Sequence, residues 1–154
     1  MAREILFRAK RIDNGEWVEG FFVNCADYCD KDAGRIADIV EIDADRIYVG
    51  EYNCHHSHKV DINTLCQYTG LTDNNGNKIW ENDIVKYHFG DDVATIRYGK
   101  YHNCFDSQKS CHVGFFVDWQ KGCMRKDLGY WVEMIDCNVI GNIFDHPELL
   151  EGGE

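Results

Sequence analysis

The sequence predicts a mostly β protein. An N-terminal β region over residues 1–64 is followed by a small SH3-like β-barrel over 65–150, with few short helices and a tail at 151–154. Three observations predict this. Apolar and polar residues alternate with a period of two along most of the chain, which places one side-chain set on each face of a strand. Turn signals are frequent and rest on Gly, Asn and Asp, because the 154 residues include one proline, Pro147. No window of 12 or more residues carries a clean helical stripe.

The elements follow in order. Ile5, Phe7 and Ala9 share one face of a first strand. Asn14-Gly15 then separates it from Trp17 to Val23, a strong hairpin signal. Asp27 to Gly34 reads as a loop. Ile36 to Ile42, Arg46 to Val49 and Lys59 to Ile62 read as short strands. Leu65 to Leu71 runs into Asp73-Asn74-Asn75-Gly76-Asn77, a dense turn in which Asn and Gly tolerate left-handed dihedrals. Ile79-Trp80 returns, and Glu81-Asn82 turns again. Asp83 to Phe89 and Val93 to Tyr98 form the next hairpin, stopped by Gly99. Gly114 to Trp119, Gly129 to Met134 and Cys137 to Phe144 complete about five strands. His146 to Leu150 reads as one helical turn.

Composition narrows the function class. Apolar residues make up 44%, too many for a disordered chain. No apolar run approaches the ~20 residues that span a bilayer, and no signal peptide is visible, so a cytoplasmic protein is expected. Sixteen bases against 27 acids give a net charge of −11, which argues against a protein that coats nucleic acid. The charge is uneven. Residues 27–51 hold eight acids and three bases, 103–126 hold two acids and four bases, and 127–154 hold seven acids and no base. The eight cysteines are expected to be mostly free thiols, several of them small buried apolar groups.

Three blocks stand out together. The first is Arg3-Glu4-Ile5-Leu6-Phe7-Arg8-Ala9. The second runs from Gln67 to Val85 and contains Tyr68, Gly70, Leu71, Asn75, Gly76, Trp80 and Asp83. The third runs from Val139 to Leu150 and contains Gly141, Asn142 and Pro147. In this order and spacing they resemble the YopX family of small phage and prophage proteins. Lys10, Cys66 and Trp80 depart from the usual pattern, and the many cysteines are unusual for it. The resemblance implies a largely β protein, also compatible with one compact domain over 1–150. It implies self-association and supplies no catalytic residues. Read from the residues, the middle block is structural: Gly70 permits a bend, Asn75-Gly76 closes a hairpin, Trp80 anchors the return and Asp83 accepts backbone N–H groups.

Candidate chemistry is sparse. Cys54-His55-His56-Ser57-His58 concentrates ligand types, and Cys25 and Cys29 could complete a tetrahedral zinc site with Cys54, His56 or His58. The standard finger spacing is absent, and an exposed His-rich loop is the simpler reading. Cys104, Cys111 and His112 form a weaker version. Glu81 and Asp83, two apart, would share a face on a strand and could hold Mg²⁺ or split their pKa values, but a turn role is favoured. Nucleophile-elbow, phosphate-loop and His-Glu-x-x-His motifs are missing. Arg97, Lys100, Lys109, Lys121, Arg125 and Lys126, interleaved with Tyr98, Tyr101 and Trp119, could form a basic-aromatic strip. The expectation is therefore a non-enzymatic phage-type protein without cofactor. It would form homo-oligomers and bind an unidentified phage or host protein, with neither nucleic acid nor membrane as partner. The alternative is a zinc-stabilised or nucleic-acid-binding regulator.

Overall fold

The computed structural model describes residues 4–24, 34–37, 57–120, 122 and 124–151. The chain divides into two compact units, Met1–Gln67 and Tyr68–Glu154. The described strands are antiparallel throughout, and the two described helices are short. The protein is mostly β, as the alternating pattern predicts.

In the first unit, strand β1 (Phe7–Lys10) pairs with β2 (Trp17–Asn24) across the Asn14-Gly15 turn, with Phe7 opposite Gly20 and Lys10 opposite Trp17. Gly15 has φ 71°, the positive dihedral such a turn needs. Strand β3 (Gly34–Ala37) lies between β2 and β4 (Ser57–Val60). Pairing then returns to the start. Val60 bridges Arg11, the Ile12 N–H donates to Lys59 O at 3.1 Å, and the Asp61 N–H donates to Lys10 O at 2.8 Å. Ala9 and Val60 are fully buried, with Phe7, Val18, Phe22 and Leu65 packed on them. Leu6 is buried and Ile5 exposed, so the expected Ile5–Phe7–Ala9 face begins only at Phe7. A 3-10 turn at Ile62–Thr64 follows, and the Thr64 hydroxyl accepts the Lys10 N–H at 2.8 Å. The first residues of β5 (Cys66–Thr72) add to the outer side of β1.

In the second unit, the rest of β5 pairs with β6 (Lys78–Trp80). A four-stranded sheet has the order β10-β7-β8-β9, where β7 is Asp83–Lys86, β8 Val93–Tyr101, β9 His112–Trp119 and β10 Asn138–Asn142. Among the described residues no ladder joins β9 to β10. Ile79, Val85, Ala94, Ile96, Val117 and Trp119 form the core. Trp119, Trp131 and Tyr87 meet with ring centroids 4.7–5.5 Å apart. Offset and edge-on aromatic contacts of this kind add to the area they bury.

Two local expectations are corrected here. Gly129 to Met134 is not a strand but part of helix α1 (Leu128–Met134). Leu128, Trp131 and Val132 are its buried residues. Their spacing of three and four is helical, and seven residues are too few to fill a long periodic window. Gly99 does not stop β8. It lies inside the strand, opposite Gly114, and both have positive φ, 153° and 157°. Glycine alone adopts that backbone without strain, so the hairpin continues to Tyr101. The last element, α2 (Glu148–Glu151), falls where one helical turn is expected.

Candidate functional site

Two polar clusters in the second unit could carry chemistry, and each is built from local turn geometry. The first is the middle block. Asp73 opens the turn, is 4% exposed, and accepts the N–H groups of Asn75 at 3.0 Å and Asn77 at 2.9 Å on Oδ1. Its Oδ2 accepts the Asn77 side-chain amide and, from β10, the Val139 N–H at 3.1 Å. Burial pushes the carboxyl up, but the donors from Asn77, Val139 and Asn75 outweigh it and hold the pKa below 3.8. Gly76 completes the turn at φ 83°.

The return strand repeats the device. Asp83 is 1% exposed and accepts the Trp80 N–H at 2.8 Å. Trp80 is buried against Tyr68, with centroids 5.4 Å apart. Gly70 has φ 88°, and Leu71 packs on the core. Asn82 takes φ 66°, donates its N–H to Ile96 O and accepts the Ile143 N–H, joining β8 to the end of β10. Glu81 therefore sits in a turn rather than beside Asp83 on a strand.

The end block is stapled by Asn142, whose Oδ1 accepts the N–H groups of Phe144 and Asp145, both at 3.0 Å. A Cβ on Gly141 would meet the His146 ring at 2.8 Å, so a side chain here would require the ring to shift. The Leu150 N–H donates to Pro147 O at the start of α2. Asp73 and His146 carry much of this geometry and were not singled out in the sequence. The Asp-x-Asn-Gly spacing signals the first; nothing local signals the second.

The second cluster lies along the β8–β9 hairpin. Asn103 is 2% exposed; its N–H donates to Asp106, its Oδ1 accepts the Lys126 N–H at 2.7 Å, and its amide reaches Asp127. Asp127 also accepts the Tyr101 hydroxyl at 2.9 Å and Arg125 Nε at 2.5 Å. Burial and the Asp127 bond push Tyr101 up to about 12. The Tyr101 ring stacks on both His112 and Phe116, each at 5.1 Å, across Gly114, which contributes no side chain between them. His112 Nε2 lies 2.9 Å from Asp106 Oδ2. Every polar group in the cluster has a structural partner, and the cluster ties the connection after β8 to the segment before α1.

The remaining candidates separate. Cys25, Cys29, Cys54 and His56 lie outside the described residues, and His58 is half-buried in β4 opposite Ile36. Among the described residues no three metal-ligating side chains converge. Cys104 is disulfide-bonded, which removes it from a site with Cys111 and His112. Cys66, Cys111 and Cys137 are free. Burial and the Asp73 charge raise Cys137 to about 12. The basic-aromatic strip is broken up: Trp119 is in the core, Arg125 is held by Asp127, and Lys126 lies 3.5 Å from Asp118. Lys121 lies outside the described residues. No described helix is long and apolar enough to cross a membrane.

The side chains of Asp73, Asp83 and Asn142 hold the turns of these blocks, in the order that the resemblance rests on. The family model described as YopX protein matches residues 6–151. The chain belongs to the YopX family. None of the curated proteins matches it. The YopX match takes in all ten strands and both helices of the described residues, so both units belong to the family's fold. In this YopX protein the Asp73 turn, the Asp83 turn and the Asn142 staple are fold-forming, and the β8–β9 cluster completes the second unit.

Proposed function

We propose that this is a non-enzymatic protein of phage or prophage type that acts in the bacterial cytoplasm by binding protein, beginning with copies of itself. The observation that carries this reading is the character of the outer half of the β8–β9 hairpin. There the core-facing row of the sheet, Ala94 and Ile96, continues into the exposed Tyr98, and Val117 continues through Phe115 into the exposed Val113. Apolar groups aligned on one open face favour a protein partner, since burying them against another chain is the main gain in association. The polar clusters support the same reading, because the side chains of Asp73, Asp83 and Asn142 are engaged in holding turns.

Size-exclusion chromatography with light scattering tests it. A mass above 17.9 kDa that rises with concentration is expected. A monomer at every concentration would remove self-association from the reading.

A further inference from the structure

The connection between β8 and β9 carries sulfur in two oxidation states. Cys104 is disulfide-bonded, and its second sulfur lies outside the described residues. Cys111, further along the same connection, is a free thiol. Both residues are exposed. An exposed disulfide is open to attack by a thiolate, and an exposed thiol can supply one.

The backbone gathers the two cysteines onto one small loop. The Asp106 N–H donates to Asn103 O at 3.0 Å, and the Ser110 N–H donates to Ser107 O at 2.9 Å, so the connection is two successive turns. Cys104 lies inside the first turn, and Cys111 directly follows the second. Both neighbours of Cys111 are then tied back toward Cys104. The Ser110 carbonyl is bonded to His102 Nδ1 at 2.8 Å, and His112 Nε2 lies 2.9 Å from Asp106 Oδ2. His102 precedes Cys104 and Asp106 follows it, so the flanks of one cysteine are held against the flanks of the other. The Cys111 thiol's own contact is a long one, 3.8 Å to His112 O, and is readily given up. Asn103, beside Cys104, is buried and bonded to the Lys126 N–H and to Asp127. Those bonds involve no sulfur, so the first turn stays anchored when the disulfide changes partner.

We infer that the β8–β9 connection is an intramolecular thiol–disulfide exchange site, in which Cys111 takes over Cys104 from its present partner. The Cys111 thiolate attacks Cys104 Sγ. The Cys104–Cys111 bond forms, the original S–S bond breaks, and the departing sulfur leaves as a thiolate that takes up the proton Cys111 gave to solvent. One disulfide and one thiol are present before and after, so the step consumes neither oxidant nor reductant. The crosslink moves from one that ties the connection to another part of the chain to one that closes the connection on itself. Because both cysteines share one short loop, their effective concentration is about millimolar, which favours exchange within a copy over exchange between copies.

Disulfide mapping tests this. Wild-type protein is held at about pH 5, where thiols are protonated and exchange halts, then moved to about pH 8 without added thiol. Samples are quenched over time with N-ethylmaleimide, digested without reduction and read by mass spectrometry. The Cys104–Cys111 peptide pair is expected to rise at least about tenfold over the start, while labelling moves from Cys111 to the released cysteine. Cys111→Ser is expected to keep Cys104 in its original bond throughout. A wild-type Cys104 that retains its original partner at about pH 8 would overturn the inference. Cys104 linked equally to the buried Cys66 or Cys137 would overturn it too, since that marks scrambling through unfolding. So would a Cys104–Cys111 pair confined to covalent dimers, the mark of exchange between copies.

Discussion

The Asp73 carboxylate accepts the backbone N–H of Val139, 66 residues further along the chain, at 3.1 Å. The same carboxylate closes its own turn through Asn75 and Asn77. One side chain therefore couples the hairpin between β5 and β6 to strand β10. Replacing Asp73 with Ala leaves these buried donors without an acceptor and is expected to cost about 2–4 kcal/mol. Asp73→Asn, which keeps one oxygen, is expected to cost less. Urea unfolding of the three proteins measures the order, and equal stability of wild type and Asp73→Ala would refute the role.

Gly76 is a matter of dihedral angle rather than space. Its φ is 83°, and a Cβ there would touch nothing within 4 Å. Gly76→Val is expected to cost more than ~1 kcal/mol, because a β-branched residue resists positive φ. Gly76→Asn is expected to cost clearly less. A thermal melt of Gly76→Val matching wild type would sink the turn assignment.

Gly141 is the reverse case, where space decides. Its missing side chain is occupied by the His146 ring. Gly141→Ala is expected to lose about 1–3 kcal/mol by overpacking. Removing the obstacle with His146→Ala should return much of that loss. A double-mutant cycle reads the coupling, and additive effects would show that the ring is not the obstacle.

Acid stability follows from Asp73 and Asp127. Burial acts to raise both pKa values. The side-chain and backbone bonds on Asp73, and the Arg125, Tyr101 and Asn103 bonds on Asp127, lower them below 3.8. A carboxyl depressed in the folded state binds its proton more readily when unfolded. Its contribution is fully present above the unfolded value of 3.8 and is lost as pH falls through the folded value. Stability is expected to drop steeply below about pH 4. In Asp73→Asn/Asp127→Asn that drop should be shallower. Chemical unfolding at stepped pH would expose an unchanged slope, the result that contradicts this account.

Thiol labelling should be selective. Cys111 is exposed, Cys66 is buried, and Cys137 is buried with its pKa pushed up to about 12. Only the thiolate reacts, so brief iodoacetamide treatment of the native protein near pH 8 is expected to modify Cys111 and spare Cys66 and Cys137. Peptide mass spectrometry gives the answer. Equal labelling of Cys137 would mean that the packing of β10 on the core is wrong.

Much of this molecule is legible in the sequence because strand periodicity and turn chemistry are local. Trp17 to Val23 is rich in aromatic and β-branched residues, and Asn14-Gly15 and Asn75-Gly76 announce positive dihedrals without reference to the rest of the chain. The helix at Leu128–Met134 was not legible, since Gly-Tyr-Trp-Val fits a strand equally well until Leu128, Trp131 and Val132 find one core to face. The Asn103–Asp127 cluster was hidden for a similar reason. Its members are ordinary polar residues, and only the hairpin brings them within hydrogen-bond distance.

By itself the sequence determined the β class, the main turns and the three blocks that mark the family, because each depends on residues near one another in the chain. Only the tertiary structure decided how Val60 returns to Arg11, how Asp73 reaches Val139, and how closely the His146 ring lies against Gly141. Those relations join residues far apart or set by close packing. Their selection depends on which faces are buried together, a property of the folded chain rather than of any short segment.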